Sequence, residues 1–541
     1  MFHPRSGERA VPVARLLALV LIVAALCGAL LAACAGCGAK SPTVETAQGK
    51  VKGVVDENGL YVFKGIPYAR PPVGDLRFKP PQPAEPWSDT LEATEFGPIS
   101  IQAVDGDEDP QFPQSEDCLT LNVWTPGIDG GSRPVMVWIH GGGWIAGSSR
   151  DPWYDGASFA SRGDLVFVSI NYRLGALGWL YLGDIGGNAY AESGNLGILD
   201  QVAALKWVRE NIAVFGGDPD NVTVFGESAG SMSVCTLLGT PAAAGLFDKA
   251  IAESGALNTL RSTEYAAGIT GRFMQHAGVT DIKGLQSLSG EEILQAQKDL
   301  MEEEFQADTL FGPVIDGVVL PEPPLHAIAK GSAAGVSLVT GTNLDEVRAW
   351  AESIPGLLEF PIQAGLKVMP WLGEAVSGSP DQVEESYRSR RPGATDGDIA
   401  MAIGTDILFR IPQIRLVEAQ AANQPRTWMY LFTWETPVDD LRSCHGLELP
   451  FVFNALDAEG VADLLGEDPP QALADLMQDT WIAFARTGDP NNAGLPPWPV
   501  YEEASRSTLL FGKRPVLVDD PYGEDRVLWD GVPFDSVVPS L

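Results

Sequence analysis

The chain has 541 residues, 45% apolar and 20% charged, which is ample material for a large buried core and carries no compositional mark of disorder. Its 71 acidic residues outnumber 36 basic ones, and the formal charge of -35 repels phosphate backbones and anionic lipid surfaces, so nucleic acid is not an expected partner. One large α/β domain is the expected plan, since such folds exceed the usual domain size without splitting.

At the N-terminus, Arg5, Arg9 and Arg15 precede a charge-free stretch from Leu16 to Ala33 that ends in Leu31-Ala32-Ala33-Cys34. A basic start, an apolar middle and small residues before the cut describe a secretory signal. The last four residues resemble a bacterial lipobox, in which the cysteine is lipidated and becomes the new first residue. The expected organisation is a lipoprotein-type signal peptide over 1–33, lipid attachment at Cys34, a tether over 34–47 and the exported domain over 48–541. The anchor would then sit in the cell membrane or an outer membrane, with the domain outside the cytoplasm. The rival is an uncleaved spanning helix, because the apolar run approaches the roughly 20 residues such a helix needs. The other cysteines, Cys27, Cys37, Cys118, Cys235 and Cys444, show no disulfide or metal-ligand spacing. Cys34-Ala35-Gly36-Cys37 has no second ligand pair downstream.

Six short, nearly continuous apolar runs read as strands buried on both faces: Pro134 to His140, Leu165 to Tyr172, Val222 to Phe225, Ala250 to Glu253, Val336 to Thr340 and Trp428 to Trp434. Leu199, Val202, Leu205, Val208 and Ile212 lie at helical spacing, with Gln201, Lys206, Arg209 and Glu210 on other faces, which predicts an amphipathic helix. Alternating strands and helices predict a largely parallel sheet. The turn cluster Asp218-Pro219-Asp220-Asn221 is expected to end before the next strand begins. From Arg348 to Arg426 the pattern loosens, as in an insertion that caps a pocket.

Chemistry concentrates at three places. His140 ends a buried run and is followed by Gly141-Gly142-Gly143-Trp144, so Gly142 and Gly143 offer unencumbered backbone N–H groups, as an oxyanion hole requires. Gly226-Glu227-Ser228-Ala229-Gly230 stands between a strand run and a helix-permitting stretch, the layout of a nucleophile elbow. It nominates Ser228 as nucleophile and the N–H of Ala229 as a third oxyanion donor. A serine hydroxyl needs a base, and of five histidines His3 falls in the signal segment. Of His140, His276, His326 and His445, the last sits in a loop after a strand-like run, where an imidazole is presentable. Either carboxylate of Asp345-Glu346, just after another strand, has the reach to orient it. Nucleophile, acid and base in that chain order is the α/β-hydrolase order.

Many further stretches, in order, carry a resemblance. They include Gly65-Ile66-Pro67-Tyr68-Ala69, Glu116-Asp117-Cys118-Leu119, Asn171-Tyr172-Arg173, Phe215-Gly216-Gly217-Asp218-Pro219, Gly312-Pro313-Val314-Ile315-Asp316-Gly317 and Phe484-Ala485-Arg486 to Pro490-Asn491. On these the chain resembles the type B carboxylesterases, the carboxylesterase and cholinesterase family of α/β-hydrolases, over nearly all of its length after the tether. The resemblance implies an α/β-hydrolase fold with cap insertions. It also implies Ser228 as nucleophile, His445 as base, and Glu346 rather than Asp345 as acid.

The implied activity is hydrolysis of a small-molecule carboxylic ester through an acyl-enzyme, with no metal or cofactor. Alternatives are a catalytically inactive binding or adhesion member, or an amidase or lipase variant. The sequence leaves the oligomeric state open. Three departures stand out. Ser100 lies where the family usually has the cysteine that pairs with Cys118, which predicts a free thiol at Cys118. Ile101 to Asp117 contains no tryptophan of the kind that binds quaternary ammonium, which disfavours choline esters. Val347 replaces the usual glycine after the acid.

Overall fold

The computed structural model describes residues 41–103, 112–257, 259–303, 310–350 and 380–532. The described residues from Thr43 onward belong to one compact unit. The expected signal peptide and Cys34 lie outside the described residues. The stretch 34–47 expected as a tether overlaps a strand at Thr43–Thr46. Thr43–Thr46 pairs antiparallel with Gly49–Lys52, and Val44 and Thr46 are buried, so this segment is part of the folded unit.

Among the described residues eleven strands form the central sheet: β1 (Val54–Val55), β2 (Tyr61–Pro67), β3 (Thr120–Thr125), β4 (Arg133–Ile139), β5 (Val166–Ile170), β6 (Gly217–Glu227), β7 (Lys249–Glu253), β8 (Ser337–Asn343), β9 (Thr427–Phe432), β10 (Ser507–Phe511) and β11 (Val516–Asp519). Their order is β11-β10-β9-β8-β7-β6-β4-β5-β3-β2-β1. From β10 through β5 neighbouring strands are parallel, whereas the pairs β5–β3, β3–β2, β2–β1 and β10–β11 are antiparallel.

All six expected strands are present. Their residues alternate between two apolar clusters: Val135, Val137, Val222, Val224, Ala250 and Ala252 pack on one face, and Met136, Trp138, Phe225 and Ile251 on the other. Burial on both faces is why these strands read as apolar runs. β3 escapes that reading because polar residues satisfy one another inside it. Asn122 donates to Ser149 Oγ at 3.0 Å and Ser169 Oγ at 3.1 Å and accepts from the Gly65 N–H at 2.9 Å.

Two expectations are corrected. Asp218 to Asn221 lies within β6 rather than before it. The strand absorbs these residues as an irregularity, the register against β4 shifting between Arg133 and Val135. The predicted helix, α1 (Leu196–Asn211), is buried on more than one side, and Gln201 is inside rather than on a solvent face. Asp200 of α1 forms a buried ion pair with Arg173 at 2.6 Å, so the helix is held by charge as well as apolar contact.

Further helices place the site. α2 (Ala229–Gly239) follows β6 directly. In the region of irregular pattern, α3 (Pro380–Arg390), α4 (Asp396–Thr405) and α5 (Ile411–Ala421) precede β9. α6 (Gln471–Thr487) lies on the face of the sheet that carries Trp138 and Phe225.

Candidate active site

Ser228 occupies the single residue between β6 and α2, with φ 54° and ψ -124°, a backbone strain rare for a residue with a side chain. Its N–H donates to the Glu253 carbonyl at 3.0 Å, and its carbonyl accepts from the Met232 N–H at 2.9 Å, so the turn is tied to β7 and to its own helix. The flanking glycines are required by close approach. A Cβ on Gly226 would stand 2.6 Å from the Ile139 carbonyl oxygen, and one on Gly230 only 2.1 Å from it. The elbow thus lies directly against the end of β4, where the glycine loop begins.

In that loop Gly142 and Gly143 have φ of +96° and +61°, in the region only glycine enters freely. The Gly142 carbonyl accepts from Ile145 and Ala146 N–H at 3.0 and 2.9 Å, closing a tight turn. The N–H groups of Gly142, Gly143 and Ala229, the first residue of α2, donate to no acceptor among the described residues. Gly141 lies beside the nucleophile candidate, its hypothetical Cβ 3.2 Å from Ser228 Cβ. His140 serves as an anchor for this loop. Its ring stacks on Tyr172 at 4.5 Å, Nδ1 lies 2.9 Å from the Gly141 carbonyl, and the Tyr172 hydroxyl donates to the His140 carbonyl at 2.8 Å.

His445 and Glu346 are brought together from loops at the ends of β9 and β8. His445 Nδ1 lies 2.7 Å from Glu346 Oε2, and the His445 N–H donates to the Glu346 carbonyl at 3.1 Å. Glu346 is fully buried, and its Oε1 accepts the Asn343 N–H at 2.7 Å. Asp345 turns away: its carboxylate faces Arg348 at 3.6 Å. Of the two carboxylates, Glu346 is therefore the one that contacts the imidazole. Val347, in place of glycine, is buried against Met401 and Phe409 without displacing the carboxylate from the imidazole. His276 contacts Glu303 at 3.1 Å and His326 lies on a short helix, neither in this group.

Trp350, Phe409 and Glu448 had no local sequence signal, whereas Glu227 adjoins the nucleophile candidate in the elbow motif. Trp350 and Phe409 place their rings 4.9 Å from the His445 ring. Glu227 Oε1 stands 3.0 Å from His445 Nε2 but off the line of the ring N–H, so the pair is electrostatic rather than hydrogen-bonded. Glu448 accepts from Ser254 Oγ at 3.1 Å and from Asn343 Nδ2, and Glu253 accepts from Trp481 Nε1 at 2.9 Å. Buried carboxylates thus crowd one imidazole. Burial holds Glu227, Glu448 and Glu253 above the usual carboxylate range, since the ionised form loses its hydration. Burial alone would lower His445, but the charges of Glu227 and Glu346 outweigh it and raise the imidazole above its ordinary value. An imidazole aligned by a carboxylate, a strained serine and three unspent backbone donors form a set suited to acyl transfer.

Cys118, Cys235 and Cys444 are buried free thiols, in line with the reading of Cys118. Burial pushes Cys118 up to about 12.

Comparison with known proteins gives the family. The profile of the carboxylesterase family matches residues 40–528. A para-nitrobenzyl esterase of Bacillus subtilis is 43% identical over 495 residues, covering 89% of this chain and 97% of that protein. A phenmedipham hydrolase of Pseudarthrobacter oxydans is 35% identical, covering 87% of this chain and 95% of its own length. The crystal structure of the Geobacillus stearothermophilus carboxylesterase EST55 at pH 6.2 superposes with a TM-score of 0.82 at 43% identity, over 90% of this chain and 99% of that one. The chain belongs to the carboxylesterase family and is a carboxylesterase of the α/β-hydrolase fold.

Proposed function

We propose that the protein hydrolyses carboxylic esters through a Ser228 acyl-enzyme, with Glu346 and His445 completing the triad. The 2.7 Å contact of His445 Nδ1 with Glu346 Oε2 carries this reading, because it leaves Nδ1 protonated and Nε2 free to act as base. His445 Nε2 takes the Ser228 proton as Oγ bonds to the ester carbonyl carbon. The oxygen that gains the charge meets the N–H groups of Gly142, Gly143 and Ala229. His445 then gives the proton to the alkoxide, the C–O bond breaks and the alcohol leaves. Water, deprotonated by the same nitrogen, attacks the acyl carbon, and the acid departs with Ser228 restored. Glu346 keeps its charge throughout and stabilises the imidazolium.

The substrate class is a small-molecule carboxylic ester, and the relative named for para-nitrobenzyl esters favours a benzyl-type alcohol portion. Nitrophenyl and nitrobenzyl esters of increasing acyl length, assayed on the full-length protein with and without Ser228→Ala, provide the test. The variant should lose on the order of 10⁶ in turnover. Retention of most of the ester activity by the variant would exclude the mechanism.

The N-terminal pattern supports export, with Cys34 lipidated and the enzyme held at a membrane. The basic start, the apolar run and Leu31-Ala32-Ala33-Cys34 support that placement. Mass analysis of the mature N-terminus tests it: a diacylglyceryl-modified Cys34 is expected, and an intact N-terminal segment with unmodified Cys34 rules it out.

A further inference from the structure

Between Glu346 and Trp350 the chain makes one short 3-10 helix, and its residues face three ways. Glu346 meets the edge of the His445 ring and Trp350 its face. Arg348 points away from the imidazole into a cluster of aspartates and is only 2% exposed. Its Nη1 donates to Asp440 Oδ2 at 2.5 Å, Nη2 donates to Asp398 Oδ1, and Nε lies 3.6 Å from Asp345 Oδ1. Arg442 joins the same group, at 2.7 Å from Asp398 and 3.2 Å from Asp440.

The three aspartates come from three different elements. Asp345 belongs to the loop carrying the acid, Asp440 to the loop carrying the histidine, and Asp398 to the first turn of α4. Asp398 is itself fixed, since its Oδ2 accepts from the N–H and hydroxyl of Thr395 at 2.9 and 2.8 Å in a capping box. Burial works against its ionised form, but Thr395 and the two guanidinium groups hold its carboxyl down to about 2, so Asp398 keeps its charge across neutral and moderately acid pH. A buried arginine is costly unless paired, so this one strongly favours the arrangement that gathers all three carboxylates.

Resting on the triad reading above, we propose that Arg348 is a positioning residue for catalysis: it clamps the acid-bearing turn to the histidine-bearing loop and to α4, and so holds Glu346 and Trp350 against His445. Among the described residues, the two loops are also joined beside the site by Asp345 N–H to the Ser443 carbonyl at 3.0 Å, His445 N–H to the Glu346 carbonyl at 3.1 Å and Asn343 Nδ2 to the Cys444 carbonyl at 2.7 Å, none of which reaches α4. Without the clamp, the far side of the 3-10 turn keeps, among the described residues, one long bond to α4, from the Val347 N–H to Thr405 Oγ1 at 3.4 Å, and the carboxylate drifts from Nδ1. Misplacement of a catalytic group by about 1 Å costs about 10²-fold in rate.

The experiment is a double-mutant cycle in the full-length protein with a nitrophenyl ester, combining Arg348→Met, which keeps the apolar stem, with Glu346→Gln. Arg348→Met alone should lower kcat by about 10²-fold with KM little changed, and Arg348→Lys should restore part of the loss. In the Glu346→Gln background the same substitution should cost little more, because the group it positions is already disabled. A folded Arg348→Met enzyme with unchanged kcat, or an equal fold-loss in both backgrounds, overturns the proposal. If Arg348→Met does not fold, Asp440→Asn, at the solvent-facing end of the clamp, takes its place: a several-fold fall in kcat confined to the background with Glu346 supports the proposal, and no fall overturns it. Ser228→Ala is run alongside, since activity in that variant would overturn the triad reading instead.

Discussion

Glu227 Oε1 lies 3.0 Å from His445 Nε2, while Glu346 Oε2 lies 2.7 Å from Nδ1, so the imidazole stands between two buried carboxylates. Glu346 is aligned with the ring N–H and Glu227 is not, which separates a tautomer-fixing partner from one that acts through its field.

That field has a measurable sign. The negative charge of Glu227 raises the His445 pKa, and the base must be neutral to accept the Ser228 proton. Glu227→Gln should therefore move the acid limb of the pH profile of kcat/KM to lower pH, by about one unit or more. Initial rates with a nitrophenyl ester between pH 5 and 10, read at the isosbestic wavelength of nitrophenol, decide it. An unmoved limb, or one moved to higher pH, would show that Glu227 does not set the base.

Gly142 has φ +96°, and a Cβ there would meet the Ala146 carbonyl oxygen at 2.3 Å. Gly142→Ala must push the glycine loop aside and misaim its N–H groups. Turnover should fall about 10²–10³-fold, the usual cost of losing an oxyanion donor, while the melting temperature changes far less. Steady-state kinetics beside a thermal melt test this, and a variant with normal turnover would remove Gly142 from the assignment.

Ser100 and Cys118 line the same small cavity, and both side chains are buried. Ser100→Cys should close a disulfide under oxidising conditions, worth about 3 kcal/mol for a loop of this order. Against it stands the loss of the Ser100 Oγ acceptor for the Leu174 N–H, now at 3.1 Å, a cost of about 1–3 kcal/mol. The variant should melt at a higher temperature without reductant than with it, whereas the parent should show no such difference. Thiol titration that still finds the introduced cysteine free, or a melt insensitive to reductant, would contradict the geometry.

His140 is buried beneath the glycine loop, and burial lowers its pKa to about 4, the bond to the Gly141 carbonyl offsetting only part of this. In the unfolded chain it titrates near 6.5. Between these values the unfolded state binds a proton that the folded state does not, so stability falls as the pH drops through that window, by about 3 kcal/mol once it is crossed. His140→Gln should melt with a shallower dependence on pH between 6.5 and 4. Melting curves taken across that range test it, and an identical slope in both proteins would count against the buried neutral imidazole.

The sequence alone disclosed those features whose physical cause is local. β4 to β9 were readable because both faces of each strand are buried, which leaves a short apolar run. The elbow was readable because Gly226 and Gly230 each lie against the Ile139 carbonyl, a contact no larger residue permits. β3 was not, because Asn122, Ser149 and Ser169 satisfy one another across segments distant in the chain. Local spacing also could not choose between Asp345 and Glu346. That choice depends on which carboxylate the 3-10 turn directs at His445, and only the family resemblance anticipated it.

What tertiary structure decided is the assembly around the imidazole. Glu227, Trp350 and Phe409 reach His445 from separate elements, and behind Glu346 Arg348, on the same 3-10 turn as Trp350, meets Asp398 and Asp440 from two more. No periodicity or motif records such convergence, because distances of a few ångströms between residues separated widely in sequence are set by how strands order and helices pack. The chain's own residues named a nucleophile, a base and an oxyanion loop. The fold supplied the fields and clamps that act on them.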